Sequence, residues 1–227
     1  MSRDEIVRTA LALADVHGAD ATNMRRIAKE LGVGTMSLYW HVGNKERLLD
    51  LMLDAVAGQD QGTELSGDWR DDLAGIARKE RTSLLRHRWK LDVMMAGRPP
   101  LGPNGLLQIE RSLASLDDLD IEPRIALHIL TTVMSYVTGS VLNELSEITI
   151  QQEQAAAGLT VDEIKAGMSD WTTSLRRSGL FPRLVRIFDA DVDPDAADTR
   201  DERFEFGLKC VLDGITTRLA SEAKMSR

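Results

Sequence analysis

The segment from Arg25 to Lys45 constrains the fold of this chain more than any other stretch. It reads RRIAKELGVGTMSLYWHVGNK and follows Asn23, a residue type that commonly caps the start of a helix. Apolar residues recur with helical spacing between Met24 and Leu31, which predicts a short helix with one apolar face. Gly32 can adopt the left-handed conformation that ends a helix, and a second helix follows the next glycine. The sequence therefore predicts two short helices joined by a tight turn.

The second of these helices has a surface that folding alone does not explain. Leu38 and Val42 are its only plain aliphatic core residues, and they lie four positions apart. Most of the other side chains carry hydroxyls, aromatic rings or an imidazole and are expected to point away from the core. They are Thr35, Ser37, Tyr39, Trp40 and His41. Such a surface is typical of a recognition helix that enters the DNA major groove. The alternative is that Tyr39 and Trp40 are half-buried core aromatics, with Trp40 packed against the first helix.

The flanking sequence predicts the rest of a small bundle around this pair. Ser2 and Glu5 match a capping box at the start of a first helix, whose apolar residues recur up to Gly18. Asn44 is placed to cap a fourth segment, which has its own apolar stripe from Leu48 onward. We expect three helices to form a compact head and the fourth to connect that head to the rest of the chain.

Residues 5–56 resemble the DNA-binding domain of TetR (tetracycline repressor) family regulators, most clearly in the run LGVGTMSLYWHVGNKERLLD. The match is specific because several unrelated residue types occur in fixed register. Residues 204–208 and 212–214 are similar to the last helix of the C-terminal domain in the tetracycline-repressor branch, and residues 69–73 and 97–99 also match that branch. The resemblance implies an all-α protein with a helix-turn-helix head and a larger helical domain that binds a ligand and dimerises.

Eight residues of the head are candidates for contact with DNA. They are Arg25, Thr35, Met36, Ser37, Tyr39, Trp40, His41 and Lys45. The N-terminal residues of a recognition helix meet base edges, so residues 35–37 are expected to read the sequence. The resemblance implies a base contact for Arg25 and backbone contacts for Tyr39, His41 and Lys45. Family members differ at residues 34–37, so the operator sequence is not predicted.

Composition indicates a cytoplasmic protein without a membrane segment. Cys210 is the only cysteine in 227 residues, so no internal disulfide can form and a reducing compartment is expected. We find no run of about 18 apolar residues and no apolar signal-peptide region. The net charge is −8, but cations and carboxylates balance within residues 1–50. A neutral head can bind phosphate if its cations share one face, although this asymmetry also occurs as ordinary surface variation.

Three breaks organise the chain. Residues 58–67 are polar and glycine-rich, which favours a linker, and residues 190–201 are acidic and favour a mobile loop. Residues 96–105 contain three prolines and cannot continue a helix. Helical patterns fill the remainder, at 69–95, 106–117, 122–147, 160–178, 181–188 and 202–222. Since no alternating strand pattern occurs, we predict an all-α fold with a head at 1–57 and a body at 58–227.

The body is expected to dimerise through two apolar helices. Residues 125–145 are apolar on most of the helix circumference, and a helix of this kind must be covered on all sides. The resemblance implies that this helix and the terminal helix pair with their copies in a four-helix interface. The predicted interface residues are Leu130, Val141, Leu208, Val211, Leu212 and Ile215. The alternative is that both helices belong to the core of a single chain.

The body is also expected to hold a small molecule between its helices. The candidate lining residues are Trp89, Met94, Met95, Leu107, Ile109, Met134, Val137, Trp171, Phe181 and Phe188. Methionines fill irregular apolar sites well, although each of these residues is equally explained as ordinary core. Met94 stands where tetracycline-binding relatives have a histidine that holds the drug. We therefore expect a different, mostly apolar effector and no magnesium-dependent drug binding.

These patterns favour a ligand-responsive transcriptional regulator, as a repressor, that binds a pseudo-palindromic operator as a homodimer. An activator of the same fold is the first alternative, and a helical carrier or enzyme is a weaker one. The four histidines show no metal-ligand spacing, and neither G-x-S-x-G nor H-E-x-x-H occurs. We therefore predict no catalytic residue, no metal and no cofactor.

Overall fold

A computed structural model describes residues 1–60, 64–190 and 196–225, and in those ranges all regular structure is helical. The prediction of an all-α fold is confirmed. Eleven α-helices are described: α1 Arg3–Ala21, α2 Met24–Glu30, α3 Thr35–Val42, α4 Lys45–Ala57, α5 Trp69–Arg86, α6 Trp89–Met95, α7 Pro103–Ala114, α8 Pro123–Ala156, α9 Val161–Ser178, α10 Pro182–Asp189 and α11 Arg200–Met225.

The predicted helix starts of the head are confirmed by their caps. The Ser2 hydroxyl accepts from the Glu5 backbone N–H, and the Glu5 carboxylate accepts from the Ser2 N–H, both at 3.2 Å. Asn23 caps α2 through the Arg26 N–H at 3.0 Å, and Asn44 caps α4. These side chains satisfy backbone donors that a helix start otherwise leaves unpaired.

The first helix, whose apolar repeat ends at Gly18, is kinked at that residue. Gly18 has φ of +79° and ψ of 165°, a non-helical conformation that glycine adopts without a steric penalty. The chain then resumes a helical path to Ala21. The glycine therefore kinks α1 and does not end it.

The apolar faces of α1 to α4 meet in one buried core. Ile6, Ile27, Leu38, Leu48 and Met52 are all at least 98% buried. Two residues of α6, Trp89 and Val93, belong to the same core. The core of the head therefore extends beyond residue 57, where the sequence suggested a boundary.

Trp89 was predicted to line the ligand pocket, and the structure places it in this core. It is 1% exposed, and its indole N–H donates to the Asp15 carboxylate of α1 at 2.8 Å. The buried ring of His87 contacts the same Asp15 oxygen through Nδ1 at 2.7 Å. His87 also separates α5 from α6, which the sequence pattern had joined into one helix at 69–95.

The chain contains two compact units. One contains the residues up to Val141 together with the C-terminal residues from Leu208, and the other contains Leu142–Gly207. In the second unit, α9 and α10 pack through an edge-on contact of Trp171 and Phe188, whose ring centroids lie 5.5 Å apart. The division at residues 57 and 58 remains a prediction.

Glu147 is the electrostatic centre of the second unit. Its carboxylate accepts from Arg203 at 2.8 Å and from Arg200 at 3.2 Å, and both arginines lie on α11. The Arg203 hydrogen bond, with Arg200 in support, holds the pKa of the Glu147 carboxyl below its ordinary value, although partial burial opposes the shift. α11 is thereby attached to the C-terminal half of α8.

The predicted dimer residues turn inward in the single chain. Leu130, Val141, Leu208 and Leu212 are all buried, while Val211 and Ile215 are half-buried. At Leu212, the backbone carbonyl also accepts from the Arg70 guanidinium of α5 at 3.0 Å. In the single chain, the buried members of this set therefore pack in its own core, and their role in an interface with another copy remains a prediction.

α8 is long and apolar enough to cross a membrane on length and composition alone. One of its faces is buried by the protein itself, at Ile129, Val133 and Val137. A core helix of a bundle has this character. The sequence pattern predicted that this helix ends at 147, whereas it extends to Ala156, because polar residues in its last turns weaken the apolar pattern.

The three predicted breaks are described in part. Residues 61–63 of the expected linker and residues 191–195 of the expected acidic loop lie outside the described residues. The third break is confirmed, since α6 ends at Met95 and α7 begins at Pro103.

Candidate nucleic-acid interface and ligand cavity

The turn between α2 and α3 is closed by backbone hydrogen bonds around Gly32. The Gly32 N–H donates to the Lys29 carbonyl at 3.2 Å, and the Val33 N–H donates to the Ala28 carbonyl at 2.9 Å. Gly32 has φ of +66°, in the left-handed region where a side chain is disfavoured. α3 therefore leaves α2 at a fixed turn.

α3 buries one stripe and presents the rest of its surface to solvent. Leu38 and Val42 are buried in the head core, whereas Met36 is 70% exposed and Trp40 is 87% exposed. Tyr39 is also exposed. The alternative that Trp40 packs against α1 is therefore wrong. An indole this exposed gains nothing from the fold of the single chain.

The eight candidate DNA residues occupy exposed or half-exposed positions on α2, on α3 and at the start of α4. Thr35 and Ser37 are half-exposed in the first turn of α3, and Arg25 is exposed in the first turn of α2. Lys45 is the first residue of α4, and its ammonium lies 3.9 Å from Asp20. An exposed pair of that length is weak, so Lys45 can exchange it for a phosphate.

A cavity of about 310 Å³ lies among α5, α6, α7 and α8. Met94, Ile109 and Met134, all three predicted, line it together with the apolar residues Ile76 of α5 and Leu130 of α8. Its volume lies at the lower end of the range of small-molecule sites, about 300–1,000 Å³. The cavity is thus suited to a compact, largely apolar molecule.

The other predicted lining residues lie elsewhere. Met95 and Leu107 are exposed to solvent, and Val137 is fully buried in the core. Trp171, Phe181 and Phe188 belong to the second compact unit. Apolar character was the only signal used to predict these residues, and it does not distinguish a core, a cavity wall and an exposed apolar surface.

The cavity wall also carries charged residues that the sequence reading missed. Lys90 is 3% exposed, and its ammonium donates to both carboxylate oxygens of Glu80 at 2.9 Å. The Ser83 hydroxyl lies 3.4 Å from the same nitrogen. Its position gave little warning of this burial, since consecutive residues of a helix point in different directions and the apolar character of its neighbours Trp89 and Leu91 does not extend to it.

α7 joins the cavity to α4 through a shared cap. Gly102, at the start of α7, has no side chain to cap the helix, and Asp54 of α4 takes that role. The Asp54 carboxylate accepts from the backbone N–H groups of Asn104 at 2.7 Å and Gly105 at 3.2 Å. A side chain at Gly102 would collide with Asp54. Since Gly105 lines the cavity, one peptide contacts both the cavity and the carboxylate of α4.

A second contact extends this connection. The side-chain amide of Gln108, another cavity residue, donates to the Ala57 carbonyl at the end of α4 at 3.0 Å. The first two turns of α7 are therefore held to α4 by directional hydrogen bonds. A displacement of α7 at the cavity must either break these bonds or move α4.

Two family descriptions match the chain. The family of bacterial regulatory proteins named tetR matches residues 6–52, and the tetracyclin repressor-like C-terminal domain matches residues 61–219. The transcriptional repressor DrrR1 of Streptomyces coeruleorubidus is 32% identical over 222 residues, which cover 97% of this chain and 79% of that protein. The class A tetracycline repressor from transposon 1721 of Escherichia coli is 29% identical over 216 residues, 94% of this chain and 89% of the repressor.

The fold is similar to that of ActR from Streptomyces coelicolor. Ligand-free ActR matches with a TM-score of 0.75 and 30% identity over 98% of both chains. ActR in complex with actinorhodin matches with a TM-score of 0.74 and the same identity, over 96% of this chain and 98% of ActR. ActR has also been solved in complex with (S)-DNPA.

The exposure of α3 predicts that folding and surface function are separable on this helix. Trp40→Ala should change the free energy of unfolding by no more than about 0.5 kcal/mol, because the indole is almost wholly in solvent. Leu38→Ala, two residues earlier, should lower it by about 2–5 kcal/mol, because it leaves a cavity in the head core. Urea unfolding measures both. Equal destabilisation by the two substitutions would place Trp40 in the core.

Proposed function

The chain belongs to the TetR family of bacterial regulators, and from this premise we propose that it is a repressor that binds a pseudo-palindromic DNA operator as a homodimer and releases it when a small effector occupies the cavity. The exposed surface of α3 carries the proposal. It offers Thr35, Met36 and Ser37 to base edges, with Tyr39, Trp40 and His41 beside them. Arg25 and Lys45 supply positive charge from the neighbouring helix starts.

The effector is proposed to bind in the cavity among α5, α6, α7 and α8. Its lining is largely apolar, and the related ActR has been solved with small molecules bound. Met94 stands at the position where the resemblance to tetracycline repressors implies a drug-holding histidine. We therefore propose an effector of another class, held without a magnesium ion.

The release of DNA is proposed to run from the cavity through α7 and α4 to α3. The peptide at Gly105 contacts the cavity and is held by Asp54 of α4, which follows α3 directly in the chain. An effector that binds better when α7 is displaced favours a state with a different position of α4. The ratio of the effector's affinities for the two states then sets how far the affinity for DNA falls.

The dimer is proposed to form through the exposed faces of α8 and α11. On α8 these are the small positions Thr131, Ser135 and Gly139, and on α11 the exposed Gly214. A side chain added at either glycine would meet nothing within 4 Å. Glycine costs about 1 kcal/mol inside a helix, so close approach of a partner helix explains its presence here better than the chain's own packing does.

The alternatives keep the same fold. An activator would bind DNA through the same surface and differ only in where the operator lies relative to the promoter. A carrier or an enzyme is disfavoured because the named relatives are regulators, and we propose that the chain has no catalytic activity. Because its proposed partner is genomic DNA, we place the protein in the cytoplasm.

The operator is the first test. The purified protein should select a twofold-symmetric duplex from a random pool, with half-sites about 34–36 Å apart. Exchange of Thr35, Met36 and Ser37 for other residues should redirect the selected sequence, and each lost base contact should cost about 1–3 kcal/mol.

Lys45→Ala is the matched control for base recognition. It should weaken binding to all DNA sequences about equally, because it removes a phosphate contact. The slope of log affinity against log salt concentration should become shallower by about one. The selected sequence should stay the same. An unchanged preference after the exchange of residues 35–37 would refute their role as base readers.

The connection between α7 and α4 is tested by Asp54→Ala. Operator affinity without effector should change little, whereas the loss of affinity caused by effector should shrink from about tenfold or more toward none, because α7 is no longer held to α4. The effector is chosen as the compound that raises the melting temperature most in a panel of aromatic natural products. Fluorescence anisotropy with labelled operator measures both affinities.

Asp50→Ala is the control for that substitution. Asp50 lies one turn earlier on α4 and pairs with Arg98 at 3.0 Å, and neither residue lines the cavity. Its loss should leave the effector response intact. Equal responses in the wild type and in Asp54→Ala would show that this cap does not transmit the signal.

The dimer face is tested at Gly139. Gly139→Leu should keep the helical content and stability of the chain, because the position is open and leucine favours helix. It should nevertheless yield monomers and weaken operator binding steeply, since two heads no longer bind as one unit. Light scattering measures the mass, and Gly139→Ala, which adds only one methyl group, should remain largely dimeric. A tight dimer of the leucine variant would exclude this face.

A further inference from the structure

The ion pair of Lys90 and Glu80 is the most unusual feature of the cavity wall. We propose that it selects the effector by its hydroxyl group, so that the natural ligand is a neutral, mostly apolar ring compound that donates a hydrogen bond to Glu80. The inference rests on the proposed function in one respect, which is that the cavity is the effector site.

The pair is poorly explained as a stabilising contact. Lys90 is 3% exposed and the Glu80 side chain is 20% exposed, so both groups have lost most of their hydration. Removing two charges from water costs as much as, or more than, their attraction returns, and apolar replacements of buried pairs are often neutral or stabilising. A pair kept at the wall of an apolar cavity is better explained by what it offers to a molecule inside.

The geometry of the pair leaves an acceptor for that molecule. Two of the three ammonium donors of Lys90 are directed at Glu80 Oε1 and Oε2, both at 2.9 Å, and the Ser83 hydroxyl lies 3.4 Å away. A carboxylate oxygen can accept more than one hydrogen bond, and an ionised carboxylate cannot donate. A ligand that meets Glu80 must therefore bring the hydrogen itself, from an O–H or N–H group.

The charge balance of the wall favours a neutral ligand. Among the described residues of the lining, four are carboxylates, Glu64, Asp71, Asp72 and Glu80, and three are cations, Lys79, Lys90 and Arg111. An anionic ligand would meet a small excess of negative charge and would have to displace Glu80 from Lys90. A cationic ligand would meet a Glu80 carboxylate that Lys90 already neutralises.

The remaining wall accommodates an apolar body. Ile76, Ile109 and Leu130 surround the cavity with the flexible side chains of Met94 and Met134. Aliphatic and thioether side chains pack against flat ring systems. The class of ligand that follows is an apolar ring system with at least one hydroxyl group at the edge that meets Glu80.

Matched probes test this directly. 9-Phenanthrol and 9-methoxyphenanthrene share a ring system and differ in the hydrogen that can be donated. Calorimetry at pH 7 should show that the wild type binds the phenol about tenfold more tightly than its methyl ether, as expected for a hydrogen bond to a charged acceptor. Equal binding of the two compounds, or binding of neither, would overturn the proposed ligand class.

The double variant Glu80→Leu with Lys90→Met assigns the preference to the pair. Both charges are removed together, so no unpaired charge remains buried and the protein should stay folded. Its preference for the phenol should fall below about twofold, because no acceptor remains. Lys79→Met changes another charged lining residue and should keep the tenfold preference. A double variant that kept the wild-type preference would refute the proposal.

Selection of duplex DNA by the same proteins separates the two failures. Both the wild type and the double variant should select the same operator, since neither residue lies in α2 or α3. If the wild type selected no duplex, the proposed regulatory function would fall, while calorimetry without DNA would still report whether the pair reads a hydroxyl group.

Discussion

The arrangement of the N-terminal helices depends on the hydrogen bonds that the Asp15 carboxylate makes. It accepts from the buried indole of Trp89 and contacts the buried ring of His87, so a single side chain of α1 satisfies two polar groups from the start of α6. A buried indole N–H without a partner is destabilising, which makes this contact selective for one position of α6. Trp89 and Val93 then complete the head core, while the adjacent face of α6 presents Lys90 and Met94 to the cavity. The same short helix is therefore part of the head core and part of the cavity wall.

The connection through α7 differs in kind from the connection through α6. α6 meets the head through buried apolar surface together with the hydrogen bond from Trp89 to Asp15, whereas α7 meets α4 through the Asp54 cap and the Gln108 amide. Hydrogen bonds to backbone groups are lost over small displacements, so α7 and α4 keep these bonds when they move together. A cavity bounded by both helices can therefore keep the head packed on α6 while a displacement of α7 is passed to α4.

The sequence was sufficient for features set by local chemistry and insufficient for those set by tertiary contacts. Capping residues and apolar spacing predicted α1 to α4, because Ser2, Asn23 and Asn44 act on their own helices. The break at His87 and the burial of Trp89 were missed because Asp15, which contacts both, lies more than 70 positions away. The sequence left open whether Leu208 and Leu212 face the chain's own core or a second copy, because apolar spacing on α11 does not reveal what covers it. The charged wall of the cavity was not predicted, because a lysine and a glutamate ten positions apart give no sign in the sequence that they pair beside a cavity.

The exposure of Trp40 has an optical consequence. Indole emission depends on the polarity around the ring, and the chain has four tryptophans, of which Trp40 is 87% exposed and Trp89 is 1% exposed. Trp40 emits from water on the outer surface of α3, whereas Trp89 emits from the core that α6 shares with the head. Contact with stacked bases would change the first emission and leave the second as an internal reference. The molecule thus carries an intrinsic fluorophore on its proposed recognition surface, and occupancy of that surface would be followed without a chemical label.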